Sequence, residues 1–399
     1  MEEIARQLSV PESLVHDHHV PAQSLSKGPA GIALLHIERA HTGKADWRTA
    51  RSWVQAAALD GISGADDACL LFGVPALAFV LHAAEADGAE RYASARDRLD
   101  TYVTALAHRR IGLAHARIDR GEPPAFAEYD LLHGLSGIGA HLLQHAPGDH
   151  ALERTLSYLV RLTEPLRVDR ERVPGWWVHH DPHVKQSTEF PGGHSNFGIA
   201  HGITGPLALL AQALRRGVAV DGQSEAVHTI CTWLDTWRQE SDAGPWWPQW
   251  ITRDQLGTGR PGQSSASRPS WCYGTPGIAR AQQLVGIALA DKARQQMAER
   301  ALAYCVSDRA QLRQITDTSL CHGWAGLYQT TWRAAQDALT PEIGLLLPPL
   351  ADLLLQHSRA GRREGGGLLE GEAGLALALH TAAHPTPPIS GWDACLLIN

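Results

Sequence analysis

Seven short turns built on a glycine recur along the chain, and they restrict the fold more than any other feature. They open at Gly28, Gly73, Gly134, Gly202, Gly274, Gly323 and Gly371. Three residues on they close at Gly31, Ala76, Gly137, Gly205, Gly277, Gly326 and Gly374, so only the second turn departs from Gly-x-x-Gly. The opening glycines are 45, 61, 68, 72, 49 and 48 residues apart. Each turn leads into an apolar stretch, such as Ile32-Ala33-Leu34-Leu35 or Leu375-Ala376-Leu377-Ala378-Leu379. These stretches are apolar nearly all round, the pattern of a fully buried helix. Pro29, Pro75, Pro206 and Pro276 fit the first helical turn, where a missing N–H costs nothing. A supersecondary unit repeated at this interval is the signature of a repeat architecture.

Amphipathic segments lie between the turns. Residues 46–59 place Trp47, Ala50, Val54 and Ala58 on one face, and residues 224–238 do the same with Val227, Ile230, Leu234 and Trp237. Residues 89–108, 149–163 (capped at Asp149) and 290–306 read as further outer helices, and Glu2–Leu8 supplies one for the first unit. Another starts near Thr340-Pro341-Glu342, and Pro348-Pro349 is expected to break it. Such a chain can form an open solenoid, which needs capped ends, or a closed double ring. The inner stretches are equally apolar from first to last, which favours closure. The expected fold is therefore all-α, a double ring of seven inner and seven outer helices in one domain, residues 1–399. Residues 166–198 and 240–270, rich in Pro, Gly and Trp, interrupt the helices as long loops with room for a small β-containing extension.

Composition narrows the function classes. Net charge is −7 and no long Lys/Arg block occurs, which argues against nucleic acid as a partner. The six cysteines show no disulfide-like spacing, the N-terminus has no signal-peptide pattern, and no membrane-spanning run is present. A reduced, cytosolic setting is expected.

If the turns are equivalent, the two residues before each opening glycine share one rim. Those pairs are Ser26-Lys27, Leu71-Phe72, Leu132-His133, Ala200-His201, Cys272-Tyr273, Cys321-His322 and Leu369-Glu370. Cys272, Cys321 and His322 then converge from adjacent turns. Two thiolates and an imidazole suit zinc, and three protein ligands leave a fourth position open, the catalytic pattern. The alternative is two small buried hydrophobes and a capping histidine. His201 is a candidate general acid or base, or else a helix cap. Asp130 either orients a histidine or is a solvated carboxylate, and Arg268 either stabilises a developing anion or holds its loop. Two histidine clusters, His16-Asp17-His18-His19 and His179-His180-Asp181-Pro182-His183, look metal-like by composition but have no equivalent place in the repeat. Trp176-Trp177 and Trp246-Trp247 with Trp250 read as loop packing or as a peptide-binding wall.

Ser270-Trp271-Cys272-Tyr273-Gly274 and Cys321-His322-Gly323-Trp324-Ala325-Gly326 resemble the zinc motifs of the lanthionine synthetase C-like cyclase family. Asn196-Phe197-Gly198-Ile199-Ala200-His201-Gly202-Ile203-Thr204-Gly205 is similar to that family's histidine motif, and Gly391-Trp392-Asp393 with Leu396-Leu397 to its C-terminus. The resemblance spans nearly the whole chain and implies an α/α toroid. It implies one Zn2+ per chain on Cys272, Cys321 and His322, with Asp130, His201, Arg268 and Tyr273 as the other active-site residues. With no dehydratase or kinase region before the turns, the chain resembles the stand-alone cyclase of class I lantibiotic pathways. The implied reaction adds precursor-peptide cysteine thiols to dehydroalanine or dehydrobutyrine, forming thioether rings. The implied partners are a dehydrated leader-core precursor peptide, a dehydratase and an ABC transporter, with peripheral membrane association through that complex. A zinc- and thiol-binding scaffold, holding glutathione for instance, is the alternative. Glycosidases and terpene cyclases of similar shape predict paired carboxylates or Asp-rich motifs, and the seven turns carry none.

Overall fold

A computed structural model of the protein describes residues 1–11, 20–59, 61–169, 171–184, 188–360 and 365–399. The His16–His19 cluster lies outside the described residues. The chain is mostly helical with a minor β content. Among the described residues, three short helical turns aside (Phe126–Tyr129, Arg253–Thr258 and Arg309–Leu312), the helices are α1 (Glu2–Gln7), α2 (Pro29–His41), α3 (Trp47–Ala57), α4 (Val74–Ala84), α5 (Ala93–Asp119), α6 (Leu135–His145), α7 (His150–Arg161), α8 (Thr204–Arg215), α9 (Gln223–Trp237), α10 (Thr275–Ala288), α11 (Lys292–Ser307), α12 (Trp324–Gln336), α13 (Glu342–Ala360) and α14 (Glu372–Ala383). Every even-numbered helix follows one of the seven turns. These helices pack side by side in sequence order from α2 to α14, and α14 returns to α2. Burial matches the composition: Ile32, Ala33, Leu34 and Leu35 of α2 and Leu207 to Leu210 of α8 are each 0% exposed.

Each odd-numbered helix packs against at least one even-numbered helix. In α3 the inward residues are Ala50, Trp53, Val54 and Ala57, and Ala58 has already left the helix. In α9, Val227, Ile230, Leu234 and Trp237 face inward as their spacing predicts. Asp149 caps α7, its carboxylate accepting from the Ala151 N–H. Two expectations fail. Helix α5 runs on to Asp119, beyond the expected segment. Helix α13 does not break at Pro348-Pro349 but continues through both. The two prolines are exposed. The carbonyls they leave without a partner therefore lie on the solvent side, while Ile343, Leu350 and Leu354 hold the inner face.

The turns are sterically uniform. A Cβ on the closing glycine would lie 1.9 Å from the Leu320 carbonyl oxygen at Gly326 and 2.6 Å from that of Ile199 at Gly205, and the other four closing glycines fall between. Each contact is to the carbonyl six residues earlier, where the chain crosses the start of its own helix. The second turn escapes this because Gly73 enters in the left-handed region at φ +79°, whereas Gly134 and Gly274 enter extended at −95° and −93°. Ala76 is accommodated there and is buried.

The two interrupting stretches supply the β content. A hairpin pairs β1 (Leu166–Val168) with β2 (Glu171–Val173), and β3 (His194–Asn196) pairs antiparallel with β4 (Trp250–Thr252), Ser195 opposite Ile251. Trp176, Trp177 and Trp247 are buried, and their indole N–H groups bond Ser195 Oγ, the Gly192 carbonyl and the Leu234 carbonyl. These three pack the loops, whereas Trp246 lines a surface cavity and Trp250 is half-buried. At the C-terminus a 3-10 turn, Trp392–Leu396, is buried against α6. Trp271 Nε1 donates to the Leu396 carbonyl at 3.0 Å and Arg280 Nε to that of Ile398 at 2.8 Å. Asp393, fully buried, takes two bonds from Arg333 and one from Gln329.

Candidate active site

The rim is held by a belt of backbone hydrogen bonds between successive turns. In four of the turns the residue two before the opening glycine donates its N–H to the carbonyl of its counterpart in the next turn, and in two others the residue one earlier is the donor. Ala200 donates to Cys272 at 3.4 Å, Cys272 to Cys321 at 3.1 Å, Cys321 to Leu369 at 2.9 Å and Leu369 to Ser26 at 3.0 Å. Leu25 continues to Leu71 and Leu131 to Ala200. Between the second and third turns Arg110 takes over, donating to the carbonyls of Ala68 and His133. Equivalent positions in sequence are thus neighbours in space, and Cys272 and Cys321 are directly bonded through their backbones.

One ligand atom each from Cys272, Cys321 and His322 lies within 4.8 Å of the others. Two thiolates on one tetrahedral ion, each at about 2.3 Å, stand roughly 3.8 Å apart, so the set fits such an ion with little closure. The donor chemistry fits as well. The neighbouring Cys321 thiol, with His322 and Ser270, draws the Cys272 thiol down against the cost of burial. Cys321, which donates to Cys272, is pushed up, and burial adds to this. Both sulfurs bind a cation as thiolates, so loading the site would release protons. Asp317, which the sequence did not single out, stands 3.4 Å from His322 Nε2 and 3.6 Å from Arg268.

Asp130 is 0% exposed, which rules out the solvated carboxylate. One of its oxygens accepts from the N–H groups of His133 and Gly134, at 2.6 and 2.7 Å, and caps the turn. The other takes His201 Nδ1 at 2.6 Å. With Nδ1–H donating to a carboxylate, His201 presents Nε2 as the nitrogen available for proton transfer. Burial would raise the Asp130 carboxyl, but bonds from His133 and His201 hold it below its usual range. The His133 ring, in turn, is raised by Asp130 and stacks on His201 with ring centroids 5.5 Å apart.

Tyr273 is kept a neutral phenol by burial. Its oxygen accepts from Asn196 Nδ2 at 3.1 Å, and its ring lies 6.2 Å from that of His201. Asn196 also takes the Gly198 N–H, so the end of β3 fixes the loop that presents His201. All seven expected residues except Asp130 line one cavity of about 700 Å³, and Asp130 lies behind its wall against His201. A second cavity of about 340 Å³ adjoins His201 and His133 and is walled by Phe126, His180 and His183. The His179–His183 stretch therefore borders the site without forming a metal cluster among the described residues. His180 uses both ring nitrogens, on the Asp181 carbonyl and the Phe126 N–H.

The lanthionine synthetase C-like protein family profile matches residues 20–397. Over 306 residues the chain is 24% identical to the nisin biosynthesis protein NisC of Lactococcus lactis subsp. lactis, covering 75% of this chain and 70% of that protein. The solved structure of a nisin cyclase superposes with a TM-score of 0.82 at 21% identity, covering 100% of this chain and 98% of the other.

Proposed function

The chain belongs to the lanthionine synthetase C-like family, and on that premise we propose that it is a zinc-dependent lanthionine and methyllanthionine synthetase. In this reading its single domain is an α/α toroid of seven inner and seven outer helices. Its substrate is a dehydrated precursor peptide, delivered in a complex with a dehydratase and an ABC transporter. A peptide cysteine adds across the double bond of dehydroalanine or dehydrobutyrine in the same peptide. Cys272, Cys321 and His322 would hold the zinc, which when bound supplies a Lewis acid that lowers the pKa of a substrate thiol from about 8.5 into the neutral range.

The remaining steps belong to the chain's own side chains. Sulfur bonds the β-carbon, and the π pair moves onto the α-carbon and its carbonyl as an enolate. Arg268, on the cavity wall, offsets that negative charge. His201, its Nδ1–H held by Asp130, first accepts the thiol proton at Nε2 and then delivers it to the α-carbon, so the sum is addition of S–H across C=C. Tyr273 shapes the wall beside His201 and is itself held by Asn196.

The observation that carries this reading is the buried Asp130–His201 pair on the same cavity as the thiol set. Binding a thiol such as glutathione would need only the metal ligands. The test is incubation of the purified protein with a peptide bearing dehydroalanine and a free cysteine, followed by thiol alkylation and mass measurement. The expected result is loss of one alkylatable thiol per ring. A zinc-loaded protein that leaves every thiol free to alkylate would refute the assignment.

A further inference from the structure

We propose that the molecule holds a second divalent cation of the zinc class, between α4, α5 and α6, on His82, Asp100 and His141. The proposal is independent of the cyclase reading. One donor atom from each of these residues lies within 4.8 Å of the others. His82 Nε2 is 3.0 and 2.9 Å from the two carboxylate oxygens of Asp100, and His141 Nε2 is 3.5 Å from the first of them. Two imidazole nitrogens thus converge on one carboxylate, a nitrogen–oxygen donor set suited to zinc and its neighbours among the transition metals.

A third imidazole completes the cluster. The His145 ring stacks on His82 with centroids 3.9 Å apart and lies 5.0 Å from His141. Its Nε2 is buried without a hydrogen-bond partner, as is His141 Nδ1. Buried imidazole nitrogens without partners are costly and call for an explanation. A bound cation that draws His145 in as a further ligand would satisfy one of them. Asp100 is 36% exposed and His82 15%, so an ion has a path in and a water can complete its shell.

The cluster is separate from the catalytic rim. His82 stands in the last turn of α4, and His145 is the last residue of α6. The thiol set precedes α10 and α12, at the N-terminal end of the cycle. His141 lies six residues into α6, about 9 Å along its axis. A cation there would tie two inner helices to one outer helix at the opposite end of the molecule.

The experiment is cobalt reconstitution of the chelator-stripped full-length protein, read as ions bound per chain and as an absorption spectrum. Wild type is expected to bind two equivalents. One gives an intense near-ultraviolet thiolate band, and the other gives only weak visible bands. His141→Ala and the more exposed Asp100→Asn should each lose the second equivalent, or weaken it roughly tenfold or more, and keep the near-ultraviolet band. Cys321→Ala should do the reverse, so failure of the thiol site and failure of this one are read separately. Circular dichroism checks that each variant is folded. If wild type binds cobalt only with the thiolate signature, or if Asp100→Asn binds as much as wild type, the second site does not exist.

Discussion

Asp130 stands at a position that serine occupies in three other turns, and the comparison shows what the carboxylate adds. Ser24, Ser270 and Ser319 each use a hydroxyl to cap the N–H three residues on, at 3.4, 3.3 and 3.2 Å. Asp130 does the same with one oxygen and has a second left over, which holds His201. Asp130→Ser should therefore keep the turn and the fold, with a melting temperature lowered near neutral pH by loss of the carboxylate's bonds to His133 and His201. Cyclisation should slow by about 100-fold or more, the scale of a lost proton-transfer group. The same carboxylate raises the His133 pKa, so in Asp130→Asn the His133 ring should titrate lower, as NMR of its ring protons would report. The sign of the stability contribution follows. A raised histidine pKa stabilises the fold fully below the unfolded value near 6.5 and loses that contribution as pH rises through the folded value. The Asp130 contribution has the opposite sense, present above the carboxylate's unfolded pKa and lost on acidification. His133 is half exposed, so solvent screens its part.

At the scale of elements, the closing glycines sit where a side chain would collide with the backbone. Gly326→Ala would push a methyl onto the Leu320 carbonyl at 1.9 Å, backbone against backbone, and should destabilise by about 2 kcal/mol or more. Ala76→Gly, in the one turn that enters differently, should cost only about 1 kcal/mol. Urea unfolding of the two variants separates these outcomes. Here the repeat was legible in the residues, because glycine is the only side chain that fits where a helix start crosses its own approach. The amphipathic faces of α3 and α9 were legible for the same local reason. The continuation of α13 through Pro348-Pro349 was not, since it depends on which side of the helix meets solvent. Asp317 escaped notice, because it stands off the rim positions and reaches both His322 of its own turn and Arg268 of the turn before.

At the scale of the whole molecule, the cycle is joined at both ends of the chain. Glu38 of α2 accepts from the N–H groups of Ile389 and Ser390 and from the Ser390 hydroxyl, and Asp393 pairs with Arg333 of α12. Asp393→Ala would leave Arg333, 14% exposed, without its partner and should cost about 3 kcal/mol or more in a denaturant titration. That the C-terminus would be buried against the inner helices was not readable from Gly391-Trp392-Asp393 itself. The histidine cluster at the far end was equally hidden, because His82, Asp100 and His141 come from three helices and follow no repeat spacing. The candidate metal site was readable because the repeat itself brings its ligands together: Cys272 and Cys321 are counterparts in successive turns, joined by a backbone hydrogen bond. Among the described residues no helix is long and apolar enough to cross a membrane. In the proposed function this rim holds a zinc ion that the thiol chemistry requires. The decisive measurement is the cyclisation rate, followed by thiol alkylation and mass, of wild type and Cys321→Ala after metal stripping and again after zinc is restored. Stripped wild type should be inactive and recover with zinc, while folded Cys321→Ala should not recover. Full-rate cyclisation by the stripped wild type would contradict that requirement.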